Sequence, residues 1–465
     1  VKARTGLKHI KQQNTSVHKI YKTIMKKLVL SLFVLALTAT TVFGQAEAKF
    51  KKIDSLLNYF YANNKFMGAI AIREGNKVVF EKAYGFADAE NKVKAAANTK
   101  YKIGSITKMF TSAIIFQLIE EKKLTLDTKL SVFYPQIKNA DKITISNLLN
   151  HSSGIFNFTS DPGFTSFNTI HQTKEMMLNR LAGYKADFDP GAKAEYSNSN
   201  YMLLGYIIED ITKKPYKESV AERVVKKAGL KNTYYYGAID PKKNEAFSYS
   251  FNGKAWEKRE QWEESLVFAA GALQSTPADL TQFIKALFDG KIIKKESLAE
   301  MTKMEHGYGR GIFNFPFGER KFFGHNGGIE GFTSVLGYYP KEDMSFSLTV
   351  NGDNYDANDI VIGILSGYYK LPYRFPNLKT VSVDEAVLKS YEGTYASPTV
   401  PLKLTLKVVS GQLTAQATGQ GPFPLNAVSP TEFIFDAAGI KVKFKSSSVF
   451  TIEQGGSLNE FTKEK

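Results

Sequence analysis

The pattern of apolar and polar positions changes character along the chain, and each change predicts a different kind of structure. Residues 28–43 are an apolar run without periodicity, preceded by Met25-Lys26-Lys27 and followed by the small residues Gly44 and Ala46. Residues 51–63 then show helical spacing, with Ile53, Leu56, Leu57 and Phe60 on one face. Residues 68–73 and 77–83 read as strands, and Glu74-Gly75-Asn76 between them is a hairpin signal. A helix is predicted from Ser105 through the apolar stretch 109–118, and Gly104 permits a tight turn from strand into helix. A helical, loop-rich region follows to about residue 235, with helices over 145–150 and 201–211 and a turn at Asp189-Pro190-Gly191. Thr276-Pro277-Ala278-Asp279 reads as a helix start, with Thr276 or Ser275 as the cap. From Gly309 the texture turns to strands, notably 332–339 and 345–350 joined by a turn at 340–343, and 361–369 reads as a closing helix.

Beyond Leu371-Pro372-Tyr373-Arg374-Phe375-Pro376 the period falls to two. Residues 402–408 alternate, and 412–417, 433–436, 441–444 and 449–453 continue as short strands separated by Gly, Pro and Ser. The expected organisation is an upstream extension over 1–24, a signal peptide over 25–46, a main domain over 50–370, a linker over 371–379 and a small all-β meander or barrel over 380–465.

Charge changes the picture less than its total suggests. The formal net charge is +16, but residues 1–44 hold eight Lys/Arg and no acid. Taking those eight from the 61 basic residues leaves 53 against 45 acidic ones, a mild excess with no nucleic-acid motif beside it. No nucleic-acid partner is expected. The basic start, apolar stretch and small residues over 25–46 have the form of a cleaved secretory signal. Sixteen apolar-run residues with three threonines are short for a membrane span of about twenty. The expected location is periplasmic or secreted, with no stable membrane span after signal removal, and residues 1–24 are expected to lie upstream of the true start at Met25. Cysteine is absent, which excludes disulfides, a thiolate metal site, a cysteine nucleophile and a lipidated cysteine.

Three short motifs carry candidate chemistry. Ser105-Ile106-Thr107-Lys108 places a hydroxyl and an amine one turn apart on a helix. A lysine in a desolvated pocket loses its proton more easily and can then accept one from the serine. The helix start leaves backbone N–H groups free to face developing negative charge. Tyr196-Ser197-Asn198 offers a phenol that can carry protons if a nearby cation depresses its pKa, and an amide that offers donor and acceptor together. His325-Asn326-Gly327-Gly328, read as lying before a strand, lets substrate backbone approach closely and presents a second oxyanion donor. The segment after the leader holds four histidines (His151, His171, His306, His325) and no Gly-x-Ser-x-Gly elbow. No metal spacing is present, so neither metal nor cofactor is expected.

In this order the motifs resemble the serine β-lactamase and penicillin-binding protein family, in particular its branch of class C β-lactamases, D-Ala-D-Ala carboxypeptidases and esterases. Segments 143–154, 188–205, 270–279 and 324–332 also fit, so the resemblance spans roughly residues 50–370. It implies an α/β fold of the α+β type: an antiparallel sheet flanked by helices, with an inserted helical lobe. It makes Ser105 the nucleophile of an acyl-enzyme, gives Lys108 and Tyr196 the proton work, and has Asn198 position substrate. The N–H groups of Ser105 and Gly328 would form the oxyanion hole, with Asn326 and Gly327 beside the substrate. The C-terminal domain, from about Leu388 to Tyr395 onward, is similar to a lipocalin-like module. The implied substrate is a small molecule or short peptide, peptidoglycan-derived fragments included. His325-Asn326 stands where many members carry Lys-Thr, which removes a permanent cation and favours a D-amino-acid peptidase or esterase over a class C-type β-lactamase. A catalytically silent envelope-binding protein of the same fold is the reading from another class.

Overall fold

The computed structural model describes residues 50–464 apart from 377, 379, 436, 437 and 455. The segments 1–24 and 25–46 lie outside the described residues. The chain forms two compact units, one of residues up to Leu57 with Gly363–Tyr373, the other of Asn58–Ile362 with Arg374–Lys465. In the smaller unit the helical face of Ile53, Leu56 and Leu57 is buried, as its spacing predicts, and so are Ile364 and Leu365.

The larger unit is organised by a sheet of β1 (Phe66–Glu74), β2 (Lys77–Tyr84), β3 (Phe313–Phe317), β4 (Arg320–Ile329), β5 (Phe332–Tyr339) and β6 (Met344–Asp353). The strand order is β3-β4-β5-β6-β1-β2. Position in the sheet explains the sequence texture. Central β1 and β6 are buried almost end to end and are correspondingly apolar or small, whereas edge strand β2 is partly exposed. All six pair antiparallel. One short strand departs from the expected antiparallel sheet: Tyr249–Phe251, arriving from the helical lobe, pairs parallel with Gly352 and Asp353 at the end of β6.

Helix α1 (Thr107–Glu120) is buried from Thr107 through Leu118, the signature of a helix enclosed on every side. It stacks Phe110 on Phe283 of α4 (Pro277–Phe288), ring centroids 3.8 Å apart. Helices α2 (Asn198–Thr212) and α3 (Glu264–Gly271) also pack on α1. The cap of α4 is Thr276, whose hydroxyl accepts from the Asp279 N–H at 3.2 Å. A small sheet joins Tyr101–Lys102, Leu273–Ser275 and Tyr234–Tyr235, so the chain leading to Ser105 runs beside the chain leaving α3.

His325–Gly328 lie inside β4 rather than before a strand. Asparagine and glycine are depleted in strands, but here the ladder to β5, from His325↔Leu336 to Gly328↔Thr333, overrides local preference.

The C-terminal domain is a nine-stranded antiparallel meander whose first strand, Gly393–Ala396, pairs with its last, Ser457–Lys463. The row ends at Pro422–Pro424 and Asn426–Ala427, which Leu425 joins, so the sheet is nearly closed into a barrel. Its interior is aromatic: Tyr391 stacks on Phe444 at 3.7 Å, and Phe450 on Phe461 at 5.4 Å. The closing strand has no apolar alternation in sequence, because Phe461 points inward while Leu458 is 69% exposed.

Candidate active site

Ser105 sits in a 3-10 turn, Gly104–Ile106, that runs directly into α1. Gly104 has φ +49°, and a Cβ there would lie 2.9 Å from the Gly328 nitrogen. Only glycine lets this turn rest against β4, which brings the Ser105 and Gly328 backbones to one cleft.

Lys108, one turn on, is fully buried. Its Nζ lies 3.0 Å from Ser105 Oγ, 2.7 Å from Asn198 Oδ1 and 2.8 Å from the Ala270 carbonyl oxygen. All three partners are neutral, and burial pushes the amine well below the ordinary lysine pKa. A neutral amine fits this surround: two N–H groups donate to the two carbonyl oxygens, and the lone pair faces the serine hydroxyl. The Ala270 carbonyl is aimed by a break within α3, where Phe268 takes φ +34° and ψ −128°. Such a conformation costs on the order of 1–3 kcal/mol. The adjacent Ala269 carbonyl accepts from Thr111 Oγ1 of α1 at 2.7 Å.

On the other side of the serine, the Tyr196 hydroxyl donates to Ser105 Oγ at 2.7 Å. Burial pushes this phenol pKa up, the opposite of the depression anticipated from a neighbouring cation. The Lys108 amine stands 4.9 Å from the ring centroid, and desolvation dominates. Burial thus favours the phenol form of Tyr196, which donates its hydrogen bond to Ser105 Oγ.

Asn198 opens α2 and spends both ends of its amide inside the protein. Oδ1 takes the lysine, while Nδ2 donates to Thr159 Oγ1 at 3.1 Å and Asn157 Oδ1 at 3.3 Å. Its contacts orient Lys108. Asn157 precedes and Thr159 lies within the 3-10 turn Phe158–Ser160 of the helical lobe, and neither carries a sequence signal. His151 carries one, in the segment 143–154. Its ring lies 4.5 Å from that of Tyr196, and its Nδ1 accepts the Ser197 N–H at 3.2 Å. Burial keeps it neutral.

His325 is buried on β4 against Phe313, ring centroids 4.4 Å apart. Its Nδ1 donates to the Asn326 carbonyl at 2.5 Å. Burial pushes its pKa down to about 3, so no cation stands at this position at neutral pH. Gly327 is buried, whereas Asn326 and Gly328 are exposed. β3 pairs with β4 only over Arg320–Gly324. From His325 to Ile329 the strand has β5 on one side alone, an edge to which an extended substrate can add.

The cleft between these elements is narrow, about 50 Å³, and is lined by Ser105, Asn198, Thr159 and Gly328 with apolar walls from Phe158, Trp262, Val267 and Ile329. Two larger cavities, about 650 and 710 Å³, border the C-terminal barrel and contain none of the motif residues. Among the described residues no His, Asp and Glu cluster is arranged to hold a metal ion. No described helix is long and apolar enough to cross a membrane.

The profile of the Beta-lactamase family matches residues 54–364. Teichoic acid D-alanine hydrolase of Staphylococcus aureus strain MRSA252 is 27% identical over 323 residues, covering 67% of this chain and 77% of its own. Among solved structures, a D-stereospecific amidohydrolase from Streptomyces sp. aligns with TM-score 0.60 and 26% identity over 68% of this chain and 98% of its own. The octameric penicillin-binding protein homologue from Pyrococcus abyssi, 23% identical with TM-score 0.64, shares the fold over 89% of this chain and 100% of its own.

Proposed function

Because the chain belongs to the beta-lactamase family as one of its hydrolases, we propose that it cleaves esters or amides of D-amino acids through an acyl-enzyme on Ser105. The observation that carries this reading is the placement of Ser105 Oγ between the Lys108 amine at 3.0 Å and the Tyr196 hydroxyl at 2.7 Å. As Oγ attacks the substrate carbonyl carbon, its proton passes to the Lys108 lone pair. The resulting oxyanion is held by the Ser105 and Gly328 N–H groups, each donor worth on the order of 2.7–4 kcal/mol. Tyr196 then protonates the leaving oxygen or nitrogen as the carbonyl re-forms, and draws its replacement proton back from Lys108. Water attacks the acyl-enzyme through the same relay and frees Ser105.

Substrate class follows from the neutral surround and from the relatives. A teichoic acid D-alanine hydrolase and a D-stereospecific amidohydrolase both resemble this chain. The neutral His325 offers no fixed charge for the carboxylate of a β-lactam or of a C-terminal D-alanine. D-Alanyl esters and D-amino-acid amides, which carry no such carboxylate, suit the site better. The free edge of β4 from His325 to Ile329 suits Asn326 and Gly327 to flanking the substrate backbone. The signal-like segment 25–46 supports action outside the cytoplasm, in the periplasm or secreted.

The test is labelling of the protein with a fluorophosphonate, located by mass spectrometry, beside a panel of D-alanyl esters, D-Ala-D-Ala peptides and β-lactams. An adduct on Ser105 and ester or amide turnover well above β-lactam turnover are expected. A folded protein with no adduct would point instead to a silent binder. Efficient cephalosporin hydrolysis would return the reading to a β-lactamase.

A further inference from the structure

Three residues before Ser105, Lys102 ends the short strand Tyr101–Lys102. Two residues after Gly328, Glu330 follows the end of β4. Their side chains meet in the interior, Lys102 Nζ to Glu330 Oε1 at 2.6 Å, with exposures of 1% and 0%. The same Oε1 accepts the Trp262 N–H at 2.7 Å, and Trp262 is a wall of the cleft. Glu330 holds φ +56°, a backbone region that non-glycine residues seldom occupy. A single carboxylate oxygen thus ties together the segment carrying the nucleophile, the tip of the strand carrying the second oxyanion donor, and one side of the cleft.

A buried ion pair is by itself weak evidence of added stability. Burial lowers the Lys102 pKa and raises that of Glu330 in spite of their mutual attraction, so desolvation outweighs the pairing on both sides. The second oxygen, Oε2, is buried with no hydrogen-bond partner among the described residues. Buried ion pairs of this kind are often replaceable by uncharged residues without loss of stability. The pair does fix geometry: it sits at the base of both elements whose N–H groups must converge on one oxygen. A misplacement of about 1 Å in such an arrangement can slow a reaction roughly a hundredfold.

We propose that Lys102 and Glu330 are positioning residues, a buried clamp that sets the separation of the Ser105 and Gly328 N–H groups. The clamp rests on the acyl-enzyme reading of Ser105. It acts through the backbone and touches no substrate.

The test uses the full chain carrying Lys102→Met with Glu330→Gln, which removes both charges together and leaves an oxygen for the Trp262 N–H. Three quantities are compared with the parent: the second-order rate of fluorophosphonate labelling, kcat and KM for a D-alanyl ester, and Tm. The clamp predicts labelling slower by roughly tenfold or more, a matching fall in kcat, KM within about threefold, and Tm unchanged or raised. Labelling and kcat at the parental level would overturn it. So would a double variant that fails to fold, since the pair would then serve stability. A parent that is itself unlabelled would sink the acyl-enzyme reading first and the clamp with it, whereas a labelled parent with an equally labelled variant sinks the clamp alone.

Discussion

Asn198 holds the Lys108 amine across 90 residues of sequence, Oδ1 to Nζ at 2.7 Å. A neutral acceptor at this point steadies the lysine without stabilising its charge. Replacing Asn198 by aspartate changes that sign. A carboxylate beside the amine favours the protonated form and raises the lysine pKa, by about one unit or more. Asn198→Asp is therefore expected to move the acid limb of the kcat/KM profile to higher pH. A pH–rate profile checks it; an unmoved limb would remove Lys108 as the base.

Tyr196→Phe takes away the proposed proton donor to the leaving group while keeping the ring against His151. Turnover should fall roughly a hundredfold, within the range for removal of a general acid or base. Burial holds the phenol above its ordinary pKa, so the parent should show no alkaline loss of kcat/KM below about pH 10. Steady-state kinetics on an ester substrate read both effects, and an alkaline limb near pH 8 would contradict the second.

Lys108→Met should abolish turnover yet stabilise the fold. In the folded protein the amine lies below its ordinary pKa of 10.5, so between the lowered value and 10.5 the unfolded chain binds more protons. Parent stability must then rise with pH across that window. The variant loses this slope and gains at neutral pH, where the parent bears the cost of a buried amine. Urea unfolding at pH 7 and pH 9 measures it; a variant less stable than the parent at pH 7 would count against a lysine desolvated without a counter-charge.

Gly327 and Gly328 are neighbours on β4 with opposite tolerance. A Cβ at Gly327 would lie 2.1 Å from the Ile103 carbonyl oxygen, while one at Gly328 meets nothing within 4 Å. Gly327→Ala should lose about 2 kcal/mol or more of stability through that overlap. Gly328→Ala should keep the parental Tm but slow acylation, because its methyl enters the cleft. Thermal melts and fluorophosphonate labelling of the two variants separate the cases.

Much of the fold was legible in the chain because it rests on periodicity. The β1–β2 hairpin, the buried α1 helix, the Thr276 cap and the short strands of the C-terminal domain each follow from local pattern. The closing barrel strand Ser457–Lys463 and the helices Lys174–Gly183 and Lys295–Thr302 did not. They bury few side chains, so their apolar signal is weak. His325–Gly328 read from the sequence as lying before a strand because their residue types disfavour one, and only the ladder to β5 makes them part of it.

The sequence by itself determined the chemistry on offer: a serine and a lysine one turn apart, a tyrosine, an asparagine, and glycines where two backbones must touch. It also determined that no cysteine takes part. The tertiary structure decided the protonation states, because desolvation depends on what surrounds a group in space. It buried Lys108 among neutral acceptors, held Tyr196 as a phenol and left His325 uncharged. It also supplied Asn157, Thr159 and the strained Phe268 that aim the lysine's partners. Those residues lie far from the motifs in sequence, and only packing brings them there.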